Sequence, residues 1–124
     1  MSQEVKIHFA LEYADSNGAR ALLDLAENFA SVTTKKYIRM TQSIGTTEEA
    51  LDLGELGTSI GWSAFVNRDV TNYLELRSAT GASNDIIKIP AGMGCLFHWG
   101  SDVTAPFAIA NTAACILEFV ICST

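Results

Sequence analysis

Apolar and polar residues alternate over most of the chain, and a period of two predicts β-strands rather than helices. Every second residue from Val5 to Tyr13 is apolar, and polar side chains fill most positions between them. The same alternation predicts strands at 37–44 and on either side of the polar turn "NRDVT". Further strands are predicted on both sides of Pro90–Gly92, in "SDVTAPFAIAN", and over the apolar "AACILEFVIC", which is expected to be a central strand.

The stretch "GWSAFVNRDVTNYLELRS" gives the clearest local prediction, which is a central β-hairpin. Either Trp62 or Phe65 is expected to pack inside. Asn67, Asp69 and Asn72 are expected to organise the turn, because Asn and Asp side chains bind backbone amides a few residues further on.

Residues 19–30, within "ARALLDLAENFASV", are open between helix and strand. A helix would gather Leu22, Ala26 and Phe29 on one face, whereas the pattern of a strand is broken at Glu27. Periodicity alone therefore favours a helix here, and the strand remains the alternative.

A second short stretch, "TTEEALDLGELG", carries a helix signal that its glycines oppose. Thr46 and Glu49 have the spacing of a capping box, in which each side chain binds the backbone of the other residue. Gly54 would end any such helix after two turns.

About eight strands at intervals of eight to twelve residues are typical of sandwiches and barrels. The length of 124 residues fits one domain and leaves no room for two independent cores. The predicted fold class is therefore all-β, an antiparallel β-sandwich or jelly-roll-like fold, as a single domain over residues 1–124.

Composition adds a prediction about partners. Hydrophobic residues make up 48% of the chain and charged residues only 18%, which favours a protein that covers part of its surface against other chains. The net charge is −6, and the eight Lys and Arg residues are scattered. Without a basic stripe, neither nucleic acid nor an anionic membrane is an expected partner.

The sequence also predicts a compartment. The start, "MSQEVKIHF", has no basic segment followed by an apolar run, and no apolar run has the roughly eighteen residues of a membrane span. The cysteines number three, so the simplest expectation is free, partly buried thiols in a reducing cytosol.

No metal site is expected from the histidines and cysteines. Cys95 and His98 are the one close pair, and His8, Cys115 and Cys122 lie elsewhere in the sequence. Zinc takes four ligands, and two residues three apart on a strand face opposite sides of the sheet, which prevents joint ligation.

Catalytic chemistry is not expected either. "GTSIG", residues 57–61, has the letters of a nucleophile elbow, but it lies between a loop and a strand rather than at a strand-to-helix corner. The acidic residues Glu48, Glu49, Asp52 and Glu55 lack the spacing of a calcium loop. We therefore expect no catalytic residue, no cofactor and no metal, and we expect that the chain is not an enzyme.

Four aromatic residues could stack on sugars, namely Trp62, Tyr73, Phe97 and Trp99. Their positions in apolar alternations favour burial in the core instead.

Several segments resemble small structural proteins of tailed bacteriophages. In those proteins a "GT-EE-L-LG" segment leads to a "GW" strand and then to "N-x-D-x-TNYV-L-G", and residues 42–81 of this chain are similar. "IKIPAGMGCLFHWG" resembles their "L-x-AGE-x-x-x-F" strand pair, and "IANTAACILEFVI" resembles their closing strand "KANTAAVKLEYLI". The likeness covers roughly residues 38–124. This chain departs from it where "PAGMG" lacks an acidic residue and where Arg77-Ser78 replace a glycine.

The resemblance implies a virion component, most simply a capsid decoration (cement) protein that stabilises the shell by contacts with neighbouring subunits. The alternatives are a tail, neck or head-fibre component, with a carbohydrate- or receptor-binding role as one option. It implies synthesis in the cytoplasm of a bacterial host and a homo-oligomer, for which a trimer is one arrangement, together with the major capsid or other virion proteins as partners. The expected contact elements are the loops "ATGASND" and "SDVTAP" and residues Met1 to Glu4. The resemblance also favours a strand for residues 19–30.

Overall fold

The structure, a computed structural model, describes residues 4–30 and 36–124, with side chains for residues 5–26 and 36–124. These residues form antiparallel strands with a single 3₁₀ turn, Ala82–Asn84, so the predicted all-β class is confirmed. The chain clusters into two compact units that divide between residues 35 and 36. One domain spanning residues 1–124 stays a prediction. Within the described ranges no helix has the length and apolarity needed to cross a bilayer.

The first unit is a two-stranded hairpin of β1 (Glu4–Ala14) and β2 (Arg20–Ala30). Its turn is held by Asp15, whose Oδ1 accepts the backbone N–H groups of Asn17 at 2.9 Å and Ala19 at 2.8 Å. Residues 19–30 are thus not helical, and the strand that the resemblance favours is confirmed.

The helix prediction for β2 was wrong because long-range pairing overrides local spacing. Leu23 lies opposite Leu11, and Leu25 lies opposite Phe9, so the apolar residues of β2 extend the apolar face of β1. Residues 31 and 32, the end of the ambiguous stretch, lie outside the described residues.

The second unit contains eight strands in two four-stranded sheets. They are β3 (Tyr37–Ile44), β4 (Glu49–Ala50), β5 (Trp62–Asn67), β6 (Leu74–Arg77), β7 (Asp85–Ile89), β8 (Gly94–His98), β9 (Phe107–Ala110) and β10 (Cys115–Cys122). The first sheet has the order β3-β10-β5-β8 and the second has β4-β9-β6-β7. β10 lies between β3 and β5, so the prediction of a central strand there is confirmed.

The pairing is nested. β3 pairs with β10, β4 with β9, β5 with β8 and β6 with β7, and successive pairs belong to alternate sheets. This is the pattern of one long hairpin rolled into two layers, which is the jelly roll.

Alternate residues of both sheets build one core. The largest fully buried side chains are Phe65, Phe119, Ile44, Leu74, Leu76, Ile89, Leu117, Ile121, Asn67, Pro106 and Cys115. Phe65 stacks between Phe97 and Phe119, with ring centroids 5.7 Å apart in each pair, and meets Trp99 edge-on. The sequence left open whether Trp62 or Phe65 packs inside. Phe65 lies at the centre of the core, whereas Trp62 faces the other side of β5.

The hairpin predicted over residues 61–78 does not form. β5 pairs with β8 and β10, whereas β6 pairs with β7 and β9, so the "NRDVT" segment crosses from one sheet to the other. Alternation predicted both strands correctly, but it does not say which strands become neighbours.

Asn67 fixes this crossing. Its Nδ2 donates to the carbonyl oxygens of Asn72 and Ile89, both at 2.9 Å, and its Oδ1 accepts the N–H of Asp69 at 2.9 Å. Asp69 in turn accepts the N–H groups of Asn72 at 2.6 Å and Thr71 at 3.0 Å, and these bonds lower the pKa of its carboxyl. The predicted role in organising the turn is confirmed for the side chains of Asn67 and Asp69, whereas Asn72 Oδ1 accepts the Thr112 hydroxyl at 2.6 Å.

The capping box at Thr46 and Glu49 is absent. Glu49 begins the two-residue strand β4, and its carboxylate accepts the N–H of Gly45 and a side-chain N–H of Gln42, both at 3.1 Å. The carboxylate therefore closes the turn between β3 and β4 instead of starting a helix.

We expect Asn67→Ala to lower the free energy of unfolding by about 3 kcal/mol or more. It leaves two carbonyl oxygens and one N–H without their partner, and each such buried group costs about 1–3 kcal/mol. Chemical denaturation measures the change. The exposed Asn111→Ala is the control and should stay within about 0.5 kcal/mol of the wild type. A similarly small effect for Asn67→Ala would contradict the assigned role.

Candidate functional site

The side of the first sheet that points away from the core is the broadest candidate surface. We call it the outer face. Its side chains are Tyr37, Arg39, Thr41 and Ser43 of β3, Ile116, Glu118, Val120 and Cys122 of β10, Trp62, Ala64 and Val66 of β5, and Leu96 and His98 of β8. Their neighbours in sequence face the core, so the alternation that buries one set exposes the other.

The middle of the outer face is apolar. Val120 lies opposite Ala64, and Ala64 lies opposite Leu96, so these three small and branched side chains form a row across three strands. Leu96 and Ile116 keep 37% and 42% of their surface exposed. An apolar patch rimmed by polar residues is typical of a contact surface.

Aromatic rings lie at one end of the outer face. Trp62 is opposite His98, and their rings meet edge-on with centroids 5.3 Å apart. Tyr37 is opposite Cys122, whose carbonyl oxygen accepts the N–H of Gly61, the residue before Trp62. Tyr37 is 73% exposed, so this row presents aromatic surface to solvent.

Two arginines hold a carboxylate on the same face. Glu118 Oε1 accepts Nε and Nη2 of Arg68 at 2.9 and 2.6 Å, and Oε2 accepts Nη2 of Arg39 at 3.0 Å. Hydrogen bonds from Arg68 and then from Arg39 lower the pKa of Glu118. Sequence reasoning missed this group, although its signal was visible in Glu118, the one charged residue of the apolar "AACILEFVIC".

The two predicted contact loops lie at one end of the second sheet. "ATGASND", residues 79–85, follows β6, and "SDVTAP", residues 101–106, precedes β9. Arg77, the last residue of β6, is registered opposite both Asp85 and Phe107, so the two loops leave the sheet side by side. Of the third predicted contact element, Met1 to Glu4, residues 1–3 lie outside the described residues.

A nearly buried arginine anchors the first of these loops. Arg77 donates from Nη1 to Glu48 and from Nε to Asp85, both at 2.6 Å, and Glu48 also accepts the N–H of Gly81 at 2.7 Å. The bond from Arg77, followed by that from Gly81, lowers the pKa of Glu48. No local sequence pattern indicates this network, because its members are up to 37 positions apart.

Cys95 and His98, the one close pair of possible metal ligands in the sequence, point to opposite sides of β8. Cys95 packs against the core and His98 lies on the outer face, as the strand prediction required. His8 belongs to the hairpin, where it is 3.3 Å from Asp24. Across the described ranges, no group of three or more His, Cys, Asp or Glu side chains could hold a metal ion.

Two further predicted positions, Ser59 and Asp52, form side-chain hydrogen bonds. Ser59 of "GTSIG" forms a hydrogen bond with the Thr124 hydroxyl. Asp52 accepts the N–H of Gly54 at 3.0 Å. The predicted burial of aromatics holds for Trp99 and for Phe97, which packs against the core, but Trp62 lies half-buried on the outer face and Tyr73 is half-buried beside Lys88.

Comparison with known proteins adds no relative. A scan against protein-family models, a search of curated proteins and a search of solved structures each returned no match to this chain.

We expect Glu118→Gln to destabilise the protein at neutral pH and to lose its effect in acid. The arginines hold the folded-state pKa of Glu118 below its ordinary value of 4.5, so the carboxylate stabilises the fold above that value. This contribution disappears as the pH falls through the folded-state pKa. Thermal melting of variant and wild type from neutral pH down to about pH 3 measures the difference.

Thr41→Ala, at the β3 position opposite Glu118, is the matched control because it removes no charge. The difference in melting temperature between Thr41→Ala and the wild type should be the same at every pH. A Glu118→Gln difference that persists unchanged in acid would contradict the assignment.

We expect the three thiols to react slowly in the folded protein. All are free, and burial raises the pKa of each, that of Cys95 from 9.0 to about 11. The thiolate fraction of Cys95 at pH 8 is then about a hundredfold smaller, and its reaction with a disulfide reagent at least tenfold slower, than for a free thiol. Denaturant should release three fast-reacting thiols, and a fast thiol at Cys95 before unfolding would contradict the burial argument.

Proposed function

We propose that this chain is a structural protein of a tailed-bacteriophage virion, and more narrowly a capsid decoration protein that stabilises the shell by contacts with neighbouring subunits. In this proposal it is made in the cytoplasm of the bacterial host and is located in the virion. Its partners are copies of itself and the major capsid protein or other virion proteins.

One observation carries the proposal: the residues that resemble phage structural proteins are the ones that fix the turns of the jelly roll. Asn67, Asp69 and Asn72 of the "N-x-D-x-TNY" segment hold the crossing between the sheets. In "NTAA", Thr112 donates its hydroxyl hydrogen to Asn72 Oδ1 at 2.6 Å. Because the shared residues specify one scaffold, the resemblance supports a shared fold and, through it, a role in contact.

The surface chemistry also favours contact. The outer face combines an apolar centre with aromatic and arginine side chains, and its central carboxylate is already paired with Arg39 and Arg68. Protein interfaces are enriched in aromatic residues and arginine and are poor in other charges at their centre. A shell subunit could therefore cover this face without leaving Glu118 unpaired.

We expect the purified protein to bind saturably to phage heads that lack it and to raise the temperature at which those heads rupture. Co-sedimentation measures binding, and Ile116→Glu on the outer face should weaken it at least tenfold, because it places a charge in the apolar contact. Ile86→Glu is the matched control, since Ile86 lies in the second sheet and is 46% exposed against 42% for Ile116. Failure to bind any virion particle would refute the proposal.

The second candidate is a tail, neck or head-fibre component that binds carbohydrate. The row of Tyr37, Trp62 and His98 favours it, because aromatic rings on a sheet face can stack on sugars. In this case the protein binds tails or glycans, and Tyr37→Ala and Trp62→Ala abolish glycan-array binding. Tyr73→Ala, outside the outer face, leaves it unchanged.

A further inference from the structure

The N-terminal hairpin has an apolar face next to its turn, between residues 9 and 25. Residues directly opposite each other in an antiparallel pair lie on the same side, so the register assigns the members of this face. They are Phe9, Leu11 and Tyr13 of β1 and Ala21, Leu23 and Leu25 of β2, and the apolar run stops at Ile7, whose registered partner is Glu27. We call this set the hairpin face.

The hairpin face is most exposed near the turn. Leu11, Leu23 and Tyr13 expose 71%, 64% and 63% of their surface, and Phe9 exposes 37%. Two-stranded hairpins are at best marginally stable in water unless a further layer covers their apolar side. A further layer over these exposed side chains would therefore stabilise the hairpin.

We propose that copies of this chain associate through the hairpin face, with the hairpin face of a second copy as its occupant. This inference specifies which surface forms the homo-oligomer of the proposed function. It rests on the proposed self-association alone. It does not depend on where in a virion the protein resides.

Charge is the first argument that the partner is a second copy of this chain. The opposite side of the hairpin carries most of the charged residues, and two pairs are satisfied within it: Arg20 with Glu12 at 2.9 Å, and His8 with Asp24 at 3.3 Å. The six residues of the hairpin face are uncharged and select no partner of opposite sign, and Glu27 lies beyond them on the same side. Copies with a net charge of −6 repel each other, and this face lets them meet without bringing charged groups together.

Area is the second argument. Side chains of this size offer about 150–250 Å² each, so Phe9, Leu11, Tyr13 and Leu23 together expose roughly 500 Å² per copy. Two such faces packed about 10 Å apart, as sheets pack in sandwiches, bury on the order of 1,000 Å². This total is about the area that a biological interface needs.

Neighbouring leucines on opposite sides of β2 provide the test. Leu23 belongs to the hairpin face, whereas Leu22 points to the charged side, and the two are exposed by 64% and 53%. We expect the wild type to sediment as an oligomer that dissociates on dilution. Leu23→Lys should weaken association at least about a hundredfold, because it buries a charge in the contact, while Leu22→Lys should leave it within about threefold of the wild type.

Tryptophan fluorescence checks that the second unit stays folded in the lysine variants, because both tryptophans, Trp62 and Trp99, lie in that unit. It should be the same in both variants. A second measurement uses Leu23→Cys and Leu22→Cys with a maleimide. The thiol at 23 should react slowly at high protein concentration and rapidly after dilution, and the thiol at 22 should react rapidly throughout.

Three results would overturn the inference: a wild type that is monomeric at high concentration, equal effects of the two lysine variants, or a thiol at 23 that stays fast in the oligomer. The particle-binding experiment remains independent. A monomeric Leu23→Lys protein that still binds phage heads supports both proposals, because it loses only self-association. An oligomer that binds no particle refutes the virion role and leaves the hairpin inference standing.

Discussion

Asn67 meets five hydrogen-bonding partners at the point where the chain leaves the first sheet for the second. Its backbone N–H donates to Met93, its carbonyl accepts from Gly92, and its side chain binds Asn72, Ile89 and Asp69. These partners come from the crossing segment, from the end of β7 and from the turn before β8. An unpaired amide here would be costly, since Asn67 is fully buried. The jelly-roll connection therefore depends on one polar side chain that is fully buried between the two sheets.

Once that crossing fixes the register of β5, the composition of both sides of the first sheet follows. A slip of one residue would turn Phe65 outward and place Ala64 in the core. The same constraint places Glu118 between Arg39 and Arg68, because β10 is registered against β3 and β5 together. The outer face thus follows from the strand register that the core requires. No separate local pattern in the sequence is needed to place its paired charges beside its apolar side chains.

Most strands could be predicted from the sequence, because alternation is a local property of five to ten residues. The partners of those strands could not, since nothing local to "NRDVT" shows that β5 and β6 belong to different sheets. The strand at 20–30 was recoverable only from the resemblance, because its spacing also fits a helix and only pairing with β1 decides between them. Long-range ion pairs such as that of Arg77 with Glu48 could not be predicted either, because local patterns do not show which distant residues become neighbours. The turn side chains were predicted well because most of their bonds reach only two to five residues along the chain, whereas the bond from Asn67 to Ile89 spans 22 positions and was not foreseen.

The two units place their apolar residues differently. The jelly roll has two sheets, so each covers the apolar side of the other, and its buried residues form one cluster. The hairpin is a single pair of strands, and an alternating sequence in a single layer places apolar side chains on one side of it. The six residues of the hairpin face follow this alternation on both strands, up to the point where Glu27 interrupts it opposite Ile7. Exposed apolar side chains along one side of two paired strands are the pattern expected of a segment that another chain covers.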